Sequence, residues 1–444
     1  MSSSFDVVVL GAGPGGIAAA TVAAEAGKRV CLLDANLAIG GQIWRGLSSK
    51  TARHNPHARQ FAAWSARLAN SGCTVRYGME VIDAPAPGRL RSESADGGDE
   101  VAFEHLILAT GARERFLPFP GWTLPGVTGV GGLQALVKSG LDIADKRIVV
   151  AGSGPLLLAA AAALKDAGAS VEAIVEQTPL AALVRFSLAA LAHPYKLIEG
   201  ADYRRRTLSA SYRIGWWVTR ANGQDRVESV TLINGRKEQT LACDWLACAY
   251  HLVPNLELPR LLGCSIRAGY VAVDFLQHSS VPGLWCVGEL TGMGGMEKAL
   301  VDGQIAGFAA AGNLAQARAL ARQRRKWASF AASLDRAFTP RPELRALPSA
   351  ETMVCRCEDV THRDLATRRN WREAKLHSRC GMGSCQGRIC GAAAEFLYGW
   401  DAASARPPIF PAKISTLQAA TRSAAVPVQQ AKLHPEPDAT SSGI

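Results

Sequence analysis

Five of the eleven cysteines lie between positions 355 and 390, as Cys355-Arg-Cys357 and Cys380-Gly-Met-Gly-Ser-Cys385-Gln-Gly-Arg-Ile-Cys390. Thiolates are soft ligands, so this density suits iron–sulfur or zinc chemistry. Four thiolates around two irons is the usual [2Fe-2S] arrangement. Cys355 and Cys357 supply two from one loop, and the Cys380–Cys390 run supplies the rest. Cys390 opens a helix-like run, Gly391 to Tyr398, whose N-terminal dipole favours negative charge. Arg356, Arg379 and Arg388 add positive charge nearby. Structural zinc sites favour two-residue gaps between paired cysteines, and no pair here has one. The spacing therefore favours an iron cluster and leaves zinc as the rival.

The other chemistry-bearing segment is near the start. Val7–Leu10 reads as a short buried strand, Gly11-Ala-Gly13-Pro14-Gly-Gly16 as a turn, Ile17–Ala26 as a helix and Arg29–Asp34 as a second strand. In this β-turn-α-β context the glycines let the backbone approach a pyrophosphate at the helix N-terminus. Asp34 is placed to accept hydrogen bonds from a ribose. A second copy starts at Lys146: strand Arg147–Ala151, turn Gly152-Ser-Gly154-Pro-Leu-Leu157, helix Leu158–Gly168 and strand Val171–Glu176. Leu157 stands where the third glycine normally allows close helix–strand packing, and Glu176 takes the place of Asp34. This copy reads as a dinucleotide fold that no longer binds nicotinamide, with an adenine nucleotide such as ATP or ADP on Glu176 as the fallback.

The elements that must position these sites are legible in outline. Leu106–Ala112 is a strand running into a tight turn. Gly283–Glu289 is a strand ending in Gly288-Glu289, followed by Gly292-Met-Gly-Gly295 and a helix from Lys298 to Ala311. This arrangement places Glu289 near a cofactor's ribityl chain and the helix N-terminus near its phosphate or ring. The expected division is residues 1–118 with 255–315 as one discontinuous domain, 119–254 as the second, 316–349 as a helical linker, 350–400 as the cysteine domain and 401–444 as a tail, disordered from Val426.

Composition sets bounds. The net charge is +11, spread in short runs such as Arg204-Arg205-Arg206 with no nucleic-acid motif, which reads as solvated surface. The apolar stretch Leu156–Leu164 is too short to span a bilayer, and no basic segment precedes the first apolar run. The expectation is a cytoplasmic protein with reduced thiols, able to sit peripherally at a membrane's inner face, with no transmembrane segment and no nucleic-acid partner. Cys243 and Cys248 read as buried structural cysteines and His251 as a satisfied loop histidine. No Ser/His/Asp arrangement or carboxylate pair stands out.

Gly11–Gly16, Gly40-Gly-Gln-Ile-Trp-Arg45, Ala109-Thr-Gly-Ala-Arg-Glu-Arg115 with Pro118–Trp122, and Gly288-Glu289 resemble the two-dinucleotide-domain flavoproteins. With the cysteine motifs added, residues 5 to 400 resemble the α (A or B) subunits of opine oxidases, hydrogen cyanide synthase and proline or hydroxyproline dehydrogenases. The resemblance implies an α/β fold with two Rossmann-like, glutathione-reductase-like domains and a small helical [2Fe-2S] domain. It implies FAD on Gly11, Gly13, Pro14, Gly16 and Asp34, with Gly41, Gln42, Thr110, Gly111, Gly288 and Glu289 around it. It implies a cluster on Cys355, Cys357, Cys385 and Cys390, with Cys380 as a neighbour. It further implies a flavin-containing β subunit that oxidises an amine or imino acid, and an acceptor such as a quinone. The Cys-x4-Cys pair of the disulfide reductases is absent after Gly41, which disfavours disulfide reduction. A stand-alone NAD(P)H-dependent reductase and a non-catalytic iron–sulfur scaffold with structural FAD are the rival expectations.

Overall fold

The structure is a computed structural model that describes residues 3–47, 57–401 and 405–423. The disorder expected after Val426 lies outside the described residues.

The chain opens with β1 (Ser3–Leu10), α1 (Pro14–Glu25), β2 (Val30–Leu33), β3 (Thr74–Arg76), β4 (Glu80–Ala86), β5 (Arg89–Ser94) and β6 (Gly97–Leu108). They form a sheet in the order β3-β2-β1-β6-β5-β4. Val7, Val8 and Val9 are completely buried, as expected for a parallel strand covered on both faces. Pro14 fits the first helical position because its missing N–H has no intrahelical partner there.

A second sheet contains β7 (Val127–Thr128), β8 (Arg147–Ser153), β9 (Ser170–Glu176), β10 (Ser211–Ile214) and β11 (Trp245–Tyr250), in the order β10-β9-β8-β11-β7. Between these strands run α2 (Leu156–Asp166) and α3 (Leu180–Ala190). Leu157, in the glycine's place, is buried with Ile148, Val150 and Ile174, so it fills the space between helix and sheet. Cys243 and Cys248 are buried free thiols.

The chain then returns to the first sheet as β12 (Leu284–Cys286), pairing in parallel with β6 at Leu284↔Leu106. α4 (Gly295–Ala310) lies along α1 so closely that a Cβ at Gly303 would overlap the Gly15 carbonyl. α4 thus begins three residues before the expected Lys298, because the glycine run continues into helix.

α5 (Ala321–Ala337) is more than the expected linker: its Phe330 packs against Phe186 of α3, with ring centroids 5.8 Å apart. The cysteine region follows, with α6 (Trp371–Ser378) and α7 (Cys390–Tyr398) around a small core of Val354, Val360, Leu365, Trp371 and Trp400. Part of the expected tail is seated on the first sheet: Ile409 donates its N–H to the Ile82 carbonyl at 2.8 Å, and Lys413 donates to Glu93 Oε2 at 2.8 Å. Among the described residues no helix is long and apolar enough to cross a membrane.

Candidate functional site

The first glycine turn is closed behind and open in front. A Cβ at Gly11 would overlap the Ala109 carbonyl, and one at Gly16 the Gly11 carbonyl. A Cβ at Gly13 would meet nothing within 4 Å. Bare backbone facing open space at a helix N-terminus is what an approaching pyrophosphate requires. Asp34, at the end of β2, accepts hydrogen bonds from the Ala12 N–H and from both the backbone and side-chain nitrogens of Asn36, the latter two at 2.7 Å. A carboxylate has about four acceptor positions, so capacity remains for a ribose hydroxyl.

Gly40 donates to the Ala12 carbonyl at 2.7 Å, which brings Gly41 against Gly13. Gln42 accepts from Arg45 Nε at 3.2 Å. On the other side, the Asn255 side chain donates to the Thr110 carbonyl at 2.7 Å, and the Asn255 backbone N–H donates to the Gly111 carbonyl at 3.0 Å. Gly41 and Thr110 thus adjoin the first turn, Gly41 against Gly13 and the Thr110 nitrogen 3.3 Å from where a Cβ on Gly11 would stand, while Gly288 and Glu289 come from the β12 side.

Gly288–Thr291 is a single 3-10 turn rather than a strand end. It is held from below by Lys298, which is 5% exposed and donates to the Gly288 carbonyl at 2.8 Å, Thr291 Oγ1 at 2.9 Å and Asp302 Oδ2 at 2.7 Å. Burial pushes the Glu289 carboxyl above its usual range, against the opposing pull of Lys298 and His251. Glu289 lines a cavity of about 130 Å³ together with Gly154, Leu156, His251, Gly295 and Leu334. His251 is held by Asp335 Oδ1 at 2.9 Å, as a satisfied loop histidine should be.

At the second turn the acid is engaged in the same way as Asp34. Glu176, 1% exposed, accepts from the Gly154 N–H at 2.7 Å and the Thr178 N–H at 2.9 Å. Burial raises its carboxyl to about 7 in spite of these bonds.

The cysteine sulfurs lie close together, Cys355 beside Cys380 and Cys390, and Cys385 beside Cys390 and Cys357. The sulfurs of Cys355, Cys380 and Cys390 lie within 4.8 Å of one another, and all three residues are buried. Cys380 reaches Cys355 and Cys390 where Gly381, with a positive φ, folds the loop back under Trp371. Hydrogen bonds from the Cys380 and Cys390 thiols favour the Cys355 thiolate, and Cys390 does the same for Cys385. Cys357 is exposed and faces Ser384 Oγ at 3.8 Å. Soft sulfur donors gathered where α7 starts, at Cys390, fit the donor chemistry of an iron–sulfur group.

Arg113 ties this loop to the first site. Its Nε–H donates to the Arg388 carbonyl at 2.9 Å, one NH donates to Asn255 Oδ1 at 2.7 Å, and the other pairs with Glu257 at 2.9 Å. Trp122 Nε1 adds a bond to the Met353 carbonyl at 2.7 Å. Sequence reasoning did not single out Arg113, Asn255, Lys298 or Asp302. Only the last pair carries a local signal, a Lys–Asp spacing of four on a helix.

The family model described as pyridine nucleotide-disulphide oxidoreductase matches residues 5–306. The chain is 32% identical over 424 residues to the HcnB component of hydrogen cyanide synthase from Pseudomonas protegens, covering 87% of this chain and 90% of that one. It is 31% identical to an opine oxidase subunit from Agrobacterium tumefaciens, covering 88% and 85%. Among solved structures, L-proline dehydrogenase from P. horikoshii aligns with a TM-score of 0.63 at 18% identity, over 94% of this chain and 80% of that one. At that identity the likeness is one of fold. Thioredoxin reductase from T. acidophilum aligns over 70% of this chain and 99% of its own, with a TM-score of 0.55 at 21% identity.

Proposed function

The chain belongs to the pyridine nucleotide-disulphide oxidoreductase family, in the group of HcnB and its opine oxidase counterpart, and is a flavin-dependent oxidoreductase; we propose that it is the electron-relay subunit of a heteromeric amine or imino-acid dehydrogenase. When bound, FAD would supply paired or single electron transfer and a [2Fe-2S] cluster single electron transfer, and the chain's residues would hold both between a flavin-containing partner chain and an acceptor such as a quinone. The relatives are themselves named as subunits, which supports a partner of this kind.

The chain's own residues bind and position. Gly11, Gly13 and Gly16 admit the pyrophosphate to the N-terminus of α1, and Asp34 receives the ribose. Thr110 and Gly111, fixed by Asn255, and Gly288 and Glu289, fixed by Lys298, border the rest of the cofactor. Cys355, Cys357, Cys385 and Cys390 hold the cluster, with Cys380 packed against it; the compact Cys355/Cys380/Cys390 group is the alternative ligand core. The observation that carries the reading is Arg113, which clamps the Cys385–Cys390 loop to the Asn255–Thr110 turn. Two redox sites held by one part-buried clamp suit a relay.

The stand-alone NAD(P)H reductase has less support, because the chain's own Phe338 and Thr339 carbonyls take the Ser153 and Gln177 side chains beside the second turn. Co-expression with an untagged flavin-containing partner, followed by an amine and imino-acid screen with a dye acceptor, tests the proposal. It predicts a stable complex whose dye reduction needs both chains. A chain that purifies alone and reduces the dye with NADPH would contradict it.

A further inference from the structure

In an open α/β sheet, a nucleotide lies in the crevice outside the carboxyl ends of the strands, where the strand order reverses. In the second sheet that point is between β8 and β11, at Ser153–Gly154, flanked by Glu176–Thr178 of β9 and its following turn. These residues are buried: Ser153 is 4% exposed, Gln177 and Thr178 not at all. What covers them is the chain's own segment after α5. Ser153 Oγ donates to the Phe338 carbonyl at 3.0 Å, and Gln177 Nε2 donates to the Thr339 carbonyl at 3.2 Å. The Arg341 N–H donates back to Gln177 Oε1 at 3.1 Å. The Phe338 ring lies 3.8 Å from where a Cβ on Gly154 would stand, and it stacks edge-on to Phe186 with centroids 5.0 Å apart. The Arg341 guanidinium caps the Trp217 ring at 4.1 Å.

The sequence makes this segment a stiff strap. In Thr339-Pro340-Arg341-Pro342 each proline pushes the preceding residue out of the helical region. Arg341 is accordingly extended, at φ −70° and ψ 148°. The cavity of about 130 Å³ that borders Ser153 and Gly154 is small against roughly 300–1,000 Å³ for ordinary small-molecule sites.

We propose that Phe338–Arg341 is the specificity determinant of the second fold: while seated, it occupies the place of a nucleotide's adenosine half, so the fold binds neither nicotinamide dinucleotide nor an adenine nucleotide. The strap stands independently of the relay reading, since nucleotide binding is measured without the partner chain or the amine substrate.

The test is hydrogen exchange at Gly152–Leu157 and Glu176–Thr178 in the full chain, with and without ADP-ribose, NADH or ATP. The wild type should show no ligand-dependent protection with any of the three. A Phe338→Ala/Arg341→Ala chain should exchange faster there, and ADP-ribose at ~ten times its Kd should slow that exchange ~tenfold. Protection of the wild type by any of the three would overturn the proposal, and this arm holds even if the double variant does not fold. A folded double variant that stays insensitive to ADP-ribose would also overturn it.

Discussion

Arg113 and Arg388, 275 residues apart in sequence, meet through a hydrogen bond of 2.9 Å from the Arg113 Nε–H to the Arg388 carbonyl. The same guanidinium donates to Asn255, which in turn donates to the Thr110 carbonyl. One side chain therefore sets the distance between the cysteine loop and the turn that borders the first cofactor site.

Replacing Arg113 with Ala leaves the Arg388 and Asn255 acceptors and the Glu257 carboxylate without their donor, and because these groups are only part-buried each loss stays below the ~1–3 kcal/mol of a fully buried one. Flavin and iron content should stay near wild type, while partner-driven dye reduction falls about tenfold, the size of a ~1.4 kcal/mol barrier increase. Arg113→Lys should recover little, since an ammonium cannot span three acceptors in a planar fork. Cofactor content and turnover measured on the same samples check this.

Gly13→Val should abolish FAD binding without unfolding the chain. Among the described residues, none but Gly13's own chain neighbours comes within 4 Å of the place its Cβ would take. The new side chain therefore clashes only with the ligand. Flavin absorbance after refolding with excess FAD, beside circular dichroism, is the check. Stoichiometric FAD in the folded variant would show that the first turn is not its site.

Cys355→Ser, Cys357→Ser, Cys385→Ser and Cys390→Ser should each lose the iron signal, and Cys380→Ser should largely keep it. Iron and acid-labile sulfide assays give the answer. Because Cys380 shares the compact group with Cys355 and Cys390, loss in Cys380→Ser with retention in Cys357→Ser would move the ligand set onto that group. Zinc without labile sulfide would remove the cluster from the account.

The first glycine turn and the cysteine density were legible because each is written within a few dozen consecutive residues. The bends were not. Cys380 reaches the Cys355–Cys390 group only because the loop turns back at Gly381, and spacing does not reveal that turn. The Arg113 clamp and the Lys298 network depend on long side chains reaching elements distant in sequence or across a turn. The prolines at 340 and 342 did announce an extended segment. What they could not announce is that it lies across Ser153 and Gln177, which only the packing of α5 on α3 decides.

Glu176 makes a pH prediction with a definite sign. Its carboxyl rises from an ordinary 4.5 to about 7 in the fold, chiefly by burial. The folded state thus holds a proton that the unfolded chain releases first. This contribution is fully present below about pH 4.5, declines as pH rises, and is lost once pH passes about 7. Glu176→Gln keeps an acceptor for one of the two backbone N–H groups and cannot ionise. The melting temperature of the variant relative to wild type should therefore climb between these two values and level off above them. A difference that stays flat across the window would show that Glu176 does not titrate there.

The central claim is that electrons enter from a partner chain and not from a nicotinamide. The direct measurement is anaerobic stopped-flow absorbance of the FAD-loaded chain at the flavin band, first mixed with NADH or NADPH and then with a partner reduced by its amine substrate. The account predicts no bleaching on a catalytic timescale with either nicotinamide and full bleaching with the reduced partner. Full flavin reduction within seconds by NADH or NADPH would contradict it and make the chain a reductase in its own right.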